Sequence, residues 1–163
     1  MASRSKTKKT VLYLGLTIAL FAIDQATKAW ALATLTPFQG KPFIGDLLKF
    51  YLVWNDSAAF SISFGATWIF TIISSVATLV VIWLMLRTPS KAWRLTLAIL
   101  LAGVVGNLAD RLFREPGFPV GKVVDFLQLP FNFPIFNVAD ICITGSMTAV
   151  VILVMRGIKL GSK

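Results

Sequence analysis

Four apolar stretches of roughly spanning length, at residues 11–31, 67–86, 94–113 and 137–156, constrain this sequence more than anything else in it. A helix needs about 20 predominantly apolar residues to cross a bilayer. A chain of 163 residues that is 56% hydrophobic carries more apolar surface than one soluble core of that size can hide. Lipid is therefore the solvent for most of it, and the expected fold is mostly α-helical with four transmembrane helices.

The net charge of +9 would suit a nucleic-acid binder, but the positions of the basic residues argue against one. They gather as Arg4, Lys6, Lys8 and Lys9, then Arg87, Lys91 and Arg94, then Arg156, Lys159 and Lys163, each group flanking an apolar stretch. That is a topology signal. It puts both termini and the 87–93 loop in the cytoplasm, and 32–66 and 114–136 outside. Trp30 and Trp68 then mark the outer interface, Trp83 and Trp93 the inner one. The first stretch, followed by Ala31-Leu32-Ala33, has the outline of a cleavable signal peptide, but Asp24 and Lys28 interrupt it and favour a retained span.

Within 32–66, Pro37, Gly40, Pro42 and Gly45 read as turns, and Leu47 to Trp54 is rich in aromatic and branched residues. A small extracytoplasmic β-sheet between spans one and two is expected, with a disordered basic tail at the N-terminus. Together these make a single integral-membrane domain covering 1–163.

The charges inside the spans fall at one depth, near the outer surface. Asp24 and Lys28 are one turn apart, and Asn107, Asp110 and Arg111 follow i, i+3, i+4 spacing. Pairing of Asp24 with Lys28, and of Asp110 with Arg111 or a neighbour, accounts for those four as structural ion pairs. It leaves Asp125 and Asp140 with no cation in the spans, since Arg114 and Lys122 belong to loops expected to be solvated. Gly103, Gly106 and Gly145 read as close-packing points between helices.

The chain has no histidine and a single cysteine, Cys142, which reads as a packing residue. A Ser-His-Asp triad and the usual zinc sites are excluded. No metal or other cofactor is expected. Ser57, Ser61 and Ser63 lie in the outer region, but Lys28 is spoken for by Asp24, which disfavours a Ser–Lys dyad. Two nearby carboxyl groups cannot easily both ionise, so they can share one proton and activate water between them. The same pair would also serve a small proton-coupled transporter or channel subunit, or simply pin a membrane scaffold.

Five phrases carry a resemblance: Asp24-Gln25-Ala26-Thr27-Lys28, Asn55-Asp56-Ser57-Ala58-Ala59-Phe60, Gly106-Asn107-Leu108-Ala109-Asp110-Arg111, Val123-Val124-Asp125-Phe126 and Phe136-Asn137-Val138-Ala139-Asp140. In this order, over essentially the whole length, they resemble the lipoprotein signal peptidases (signal peptidase II) of the bacterial cytoplasmic membrane. The resemblance implies an aspartic endopeptidase with Asp125 and Asp140 as its catalytic dyad. Asp24, Lys28, Asn55, Asn107, Asp110, Arg111, Asn137 and Ala139 would shape or support the site. It implies prolipoproteins bearing a diacylglyceryl cysteine as substrates, cleavage just before that cysteine, and a cradle in 32–66. Membrane lipids would be the other partners of a monomer. Ser57 departs from the glycine usual in the family at that place.

Overall fold

The computed structural model describes residues 2–56 and 67–161, with side chains from residue 11 onward. Ser57, Ser61, Ser63 and the Ala58-Ala59-Phe60 phrase lie outside the described residues. Seven elements follow in order: α1 (Ala2–Thr34), β1 (Lys41–Ile44), β2 (Leu48–Asn55), α2 (Thr67–Arg87), α3 (Lys91–Phe113), β3 (Val123–Gln128) and α4 (Val138–Met155). All four helices are long and apolar enough to cross a membrane. They match the four stretches expected from hydropathy, with one correction at the start. Helix α1 runs back through the basic residues to Ala2, where lysine and arginine are good helix formers and neither glycine nor proline intervenes.

Helix α3 is central and packs against α1, α2 and α4. Glycine makes its crossing with α4 possible. A Cβ at Gly103 would lie 2.5 Å from the Ala139 carbonyl oxygen and 2.8 Å from Ile143 Cγ1; one at Gly106 would lie 2.6 Å from Asp24 Oδ2 and 3.1 Å from Ala139 Cβ. Cys142 is buried at the same crossing. Gly145 is different: no atom lies within 4 Å of where its Cβ would be, so it is not a packing point. Trp93 is buried, and its indole N–H donates to the Ile158 carbonyl at 2.8 Å.

The sheet is antiparallel in the order β1-β2-β3. It does not come from 32–66 alone. Its third strand, β3, belongs to the segment between α3 and α4, where alternation was too short to distinguish a strand from an apolar loop. Within β3, Val124 and Phe126 turn toward Ala31, Leu35 and Leu52, forming an apolar cluster at the C-terminal end of α1. Period-two alternation sends Asp125 to the other face, toward α3 and α4. A Gly103→Val variant should therefore lower the melting temperature in detergent, equivalent to about 1–3 kcal/mol of overpacking. Gly15→Val, at a position with nothing within 4 Å, should melt like wild type. Equal melting of the two variants would contradict the α3–α4 crossing.

Candidate active site

The site is built around the Lys28 ammonium, which is completely buried. Its three N–H donors reach Asp24 Oδ2 at 2.9 Å, Asp110 Oδ2 at 2.8 Å and Asn107 Oδ1 at 3.0 Å. Each carboxylate then holds a backbone amide from another element. Asp24 Oδ1 accepts from Ala139 N–H at 2.9 Å, and Asp110 Oδ2 accepts from Val124 N–H at 3.2 Å. Those amides belong to the residues immediately before Asp140 and Asp125. One cation on α1 thus fixes, through two acids, the backbone that presents the other two.

Local structure completes the placement. The 129–136 segment folds back on β3, with Phe126 and Leu127 N–H groups donating to the Phe136 carbonyl at 3.1 and 2.8 Å. This brings Asn137, the N-cap of α4, beside Asp125. Asn137 and Asp140 form a capping box: Asn137 Oδ1 accepts from Asp140 N–H at 3.0 Å, and Asp140 Oδ2 accepts from Asn137 N–H at 3.1 Å. In the register of β2 and β3, Val53 opposes Asp125 and Asn55 opposes Val123, so Asn55 lies diagonal to Asp125 on one face.

The amide orientations follow from donors that cannot also accept. Lysine faces Asn107 Oδ1, so Asn107 Nδ2 must face Asp140, and it donates to Oδ1 at 2.8 Å. A backbone N–H faces Asn137 Oδ1, so Asn137 Nδ2 donates to Asp125 Oδ1 at 2.6 Å and to Asn107 Oδ1 at 3.2 Å. Asn55 Nδ2 donates to Asp125 Oδ2 at 2.9 Å. Burial, then the charge of Asp140, pushes the Asp125 carboxyl up to about 7, against the opposing pull of Asn55, Asn137 and Lys28.

Both Asp125 and Asp140 line one cavity of about 410 Å³. Phe70, Ile73 and Ala77 of α2 form its apolar wall; Asn107 and Arg111 of α3 form a polar one. The expected pairing of Asp110 with Arg111 is not what forms. Asp110 instead takes Lys28 and Arg114, the latter at 2.6 Å, because α3 continues far enough to put Arg114 one turn beyond Asp110. Arg114 is thus not a solvated loop residue. Arg111 is left over. Its Nη1 donates to the Asn107 carbonyl at 3.3 Å, its guanidinium sits 6.0 Å from the Phe70 ring centre, and it has no ion pair among the described residues. The two acids therefore do share their cavity with a cation.

All ten singled-out residues, Asp24, Lys28, Asn55, Asn107, Asp110, Arg111, Asp125, Asn137, Ala139 and Asp140, meet at this place. Sequence reasoning passed over one other. Gln25 Nε2 bridges Asp24 Oδ2, the Gly106 carbonyl and Asp110 Oδ1, while its Oε1 accepts from Arg114. An amide next to Asp24 within an apolar span was the available signal.

The signal peptidase (SPase) II family matches residues 16–156. The chain belongs to that family. The lipoprotein signal peptidase of Leifsonia xyli subsp. xyli is 43% identical over 166 residues, covering 99% of this chain and 77% of that protein. That of Mycobacterium avium is 40% identical over 146 residues, covering 90% and 80%. A bacterial membrane enzyme solved by the in meso method has the same fold, with a TM-score of 0.80 at 24% identity, covering 89% of this chain and 88% of that one.

Two outcomes are expected. Lys28→Met leaves two buried carboxylates without their shared cation and should cost about 3–5 kcal/mol, read as a lower midpoint in thermal melting. If the Asp125 proton is needed for turnover by this family member, kcat/KM falls as pH rises through about 7, where that carboxyl ionises. Asn55 donates to the ionised form and so favours it; Asn55→Ala should move the falling limb to higher pH. An unmoved limb would separate Asp125 from the titration.

Proposed function

We propose that Asp125 and Asp140 activate water to hydrolyse the peptide bond before a lipid-modified cysteine in prolipoproteins, releasing the signal peptide. The observation that carries this reading is the convergence of both carboxyl groups on one cavity that also has an apolar wall from α2. Asp125 holds the shared proton. Asp140 is the ionised member, placed in the first turn of α4, where the helix dipole favours negative charge.

In the forward step Asp140 takes a proton from water, the hydroxide adds to the carbonyl carbon, and Asp125 gives its proton to the carbonyl oxygen. Collapse of the tetrahedral intermediate returns a proton to Asp125, and Asp140 passes its proton to the departing amine. Both aspartates end as they began. Asn55, Asn107 and Asn137 hold the carboxyl planes in register, and Arg111 offsets the one negative charge.

The peptide bond is cleaved in the cavity between α2 and α4, both of which line it and pack on α3. The basic clusters put both termini in the cytoplasm and the site near the outer face. The chain works as a single-domain monomer among membrane lipids. The transporter or channel reading has no support: the matched family and the named relatives are peptidases.

A gel-shift assay in detergent tests the proposal with a diacylglyceryl-modified prolipoprotein, an unlipidated control, and thermal melting as the check on folding. Wild type should cleave the lipidated form alone. Asp125→Asn and Asp140→Asn should each lower the rate by about 10²–10⁴-fold while remaining folded. Normal turnover by either folded variant would defeat the assignment.

A further inference from the structure

Asp140 lines a second concavity, of about 300 Å³, on the flank of α4 away from α2 and separate from the cavity described above. Its floor is Ile141, Thr144 and Gly145, which share one face of α4. Its wall is Leu129, Phe133 and Phe136, with the two rings edge to face at 5.9 Å between centroids. This wall is not a loose loop, because the Phe136 backbone exchanges three hydrogen bonds with Phe126 and Leu127 of β3. Apart from Asp140 and the Thr144 hydroxyl, the lining is apolar. Gly145 opens it further, since no atom lies within 4 Å of where a Cβ would project.

We propose that this groove seats an acyl chain of the lipid-modified cysteine, an inference that rests on the function proposed above. The groove begins at a carboxylate assigned to bond cleavage and runs along α4 into the membrane for about 7.5 Å, five residues of helix. The residue just after the scissile bond is the one that carries the lipid, so its side chain leaves the reacting centre beside Asp140. A groove that starts there and offers hydrocarbon is matched to that chain. Bulk lipid has no comparable reason to be held at this end of the helix.

A tail that leaves the bilayer for this groove gains little free energy, because the surrounding lipid is just as apolar. The groove acts instead on register. Holding the chain fixes the cysteine, and with it the carbonyl one residue upstream, against Asp125 and Asp140. Its effect belongs in kcat, where a small misplacement of reacting groups is expensive.

The test uses full-length protein in lipid nanodiscs and a prolipoprotein whose acyl chain ends in a photoactivatable diazirine. With Asp125→Asn to slow turnover, adducts should form on Phe133, Phe136 or residues 141–145. In the otherwise wild-type chain, Gly145→Phe, whose Cβ meets nothing within 4 Å, should project a ring into the groove, weaken that labelling several-fold and lower kcat about tenfold or more. Gly15→Phe, equally open but on α1, is the matched control and should do neither. Adducts on α2 around Phe70 to Ala77, labelling spread over all helices as from bulk lipid, or an unchanged kcat in Gly145→Phe would overturn the groove while leaving the peptidase reading intact. Failure of the wild-type protein to cleave any lipidated prolipoprotein would overturn both.

Discussion

The buried ammonium of Lys28 is the interaction on which the rest depends. Lysine in hydrocarbon is tolerated only when its charge and all three donors are satisfied, and here two carboxylates and one amide oxygen do so. Satisfying it requires that α1 and α3 meet at this depth. The acids it gathers then hold Val124 and Ala139, so strand β3 and the start of α4 are fixed by the same centre. The site is therefore a consequence of how the helices solve a desolvation problem, and its geometry inherits their rigidity.

Charge balance extends the point. Asp24, Asp110, Asp125 and Asp140 bring four potential negative charges to this region; Lys28, Arg111 and Arg114 bring three positive ones. Lys28 and Arg114 sit on Asp24 and Asp110, leaving Arg111 facing the other two acids. Neutrality then calls for one proton on that pair. A low-dielectric setting penalises departures from neutrality in either direction, so in the proposed mechanism the resting pair carries one proton.

Much of this was legible in the sequence, and the reasons differ by level. Spans at 67–86 and 94–113 were readable because lipid imposes length and composition on a helix, and α2 and α3 follow them closely. That these charges gather at one level was readable because Asp24, Asn107 and Asp110 fall late in their helices and Asp140 at the start of α4. Partner choice was not. Asp110 could reach Arg111, Arg114 or Lys28, and only the α1–α3 crossing decides among them. Strand β3 was missed because its register comes from β2, about seventy residues away in sequence, rather than from its own six residues. Gly145 resembled Gly103 and Gly106 in sequence, yet what a glycine is for depends on what faces it.

Infrared difference spectroscopy of the protonated-carboxyl stretch, comparing wild type with Asp125→Asn through a pH titration, tests the central claim most directly. The account expects one buried carboxyl band in the folded wild type, lost as pH rises through about 7 and absent from Asp125→Asn. A band that persists in Asp125→Asn with the same titration, or no protonated carboxyl in wild type below that pH, would contradict a proton held on Asp125 by the charge balance of this site.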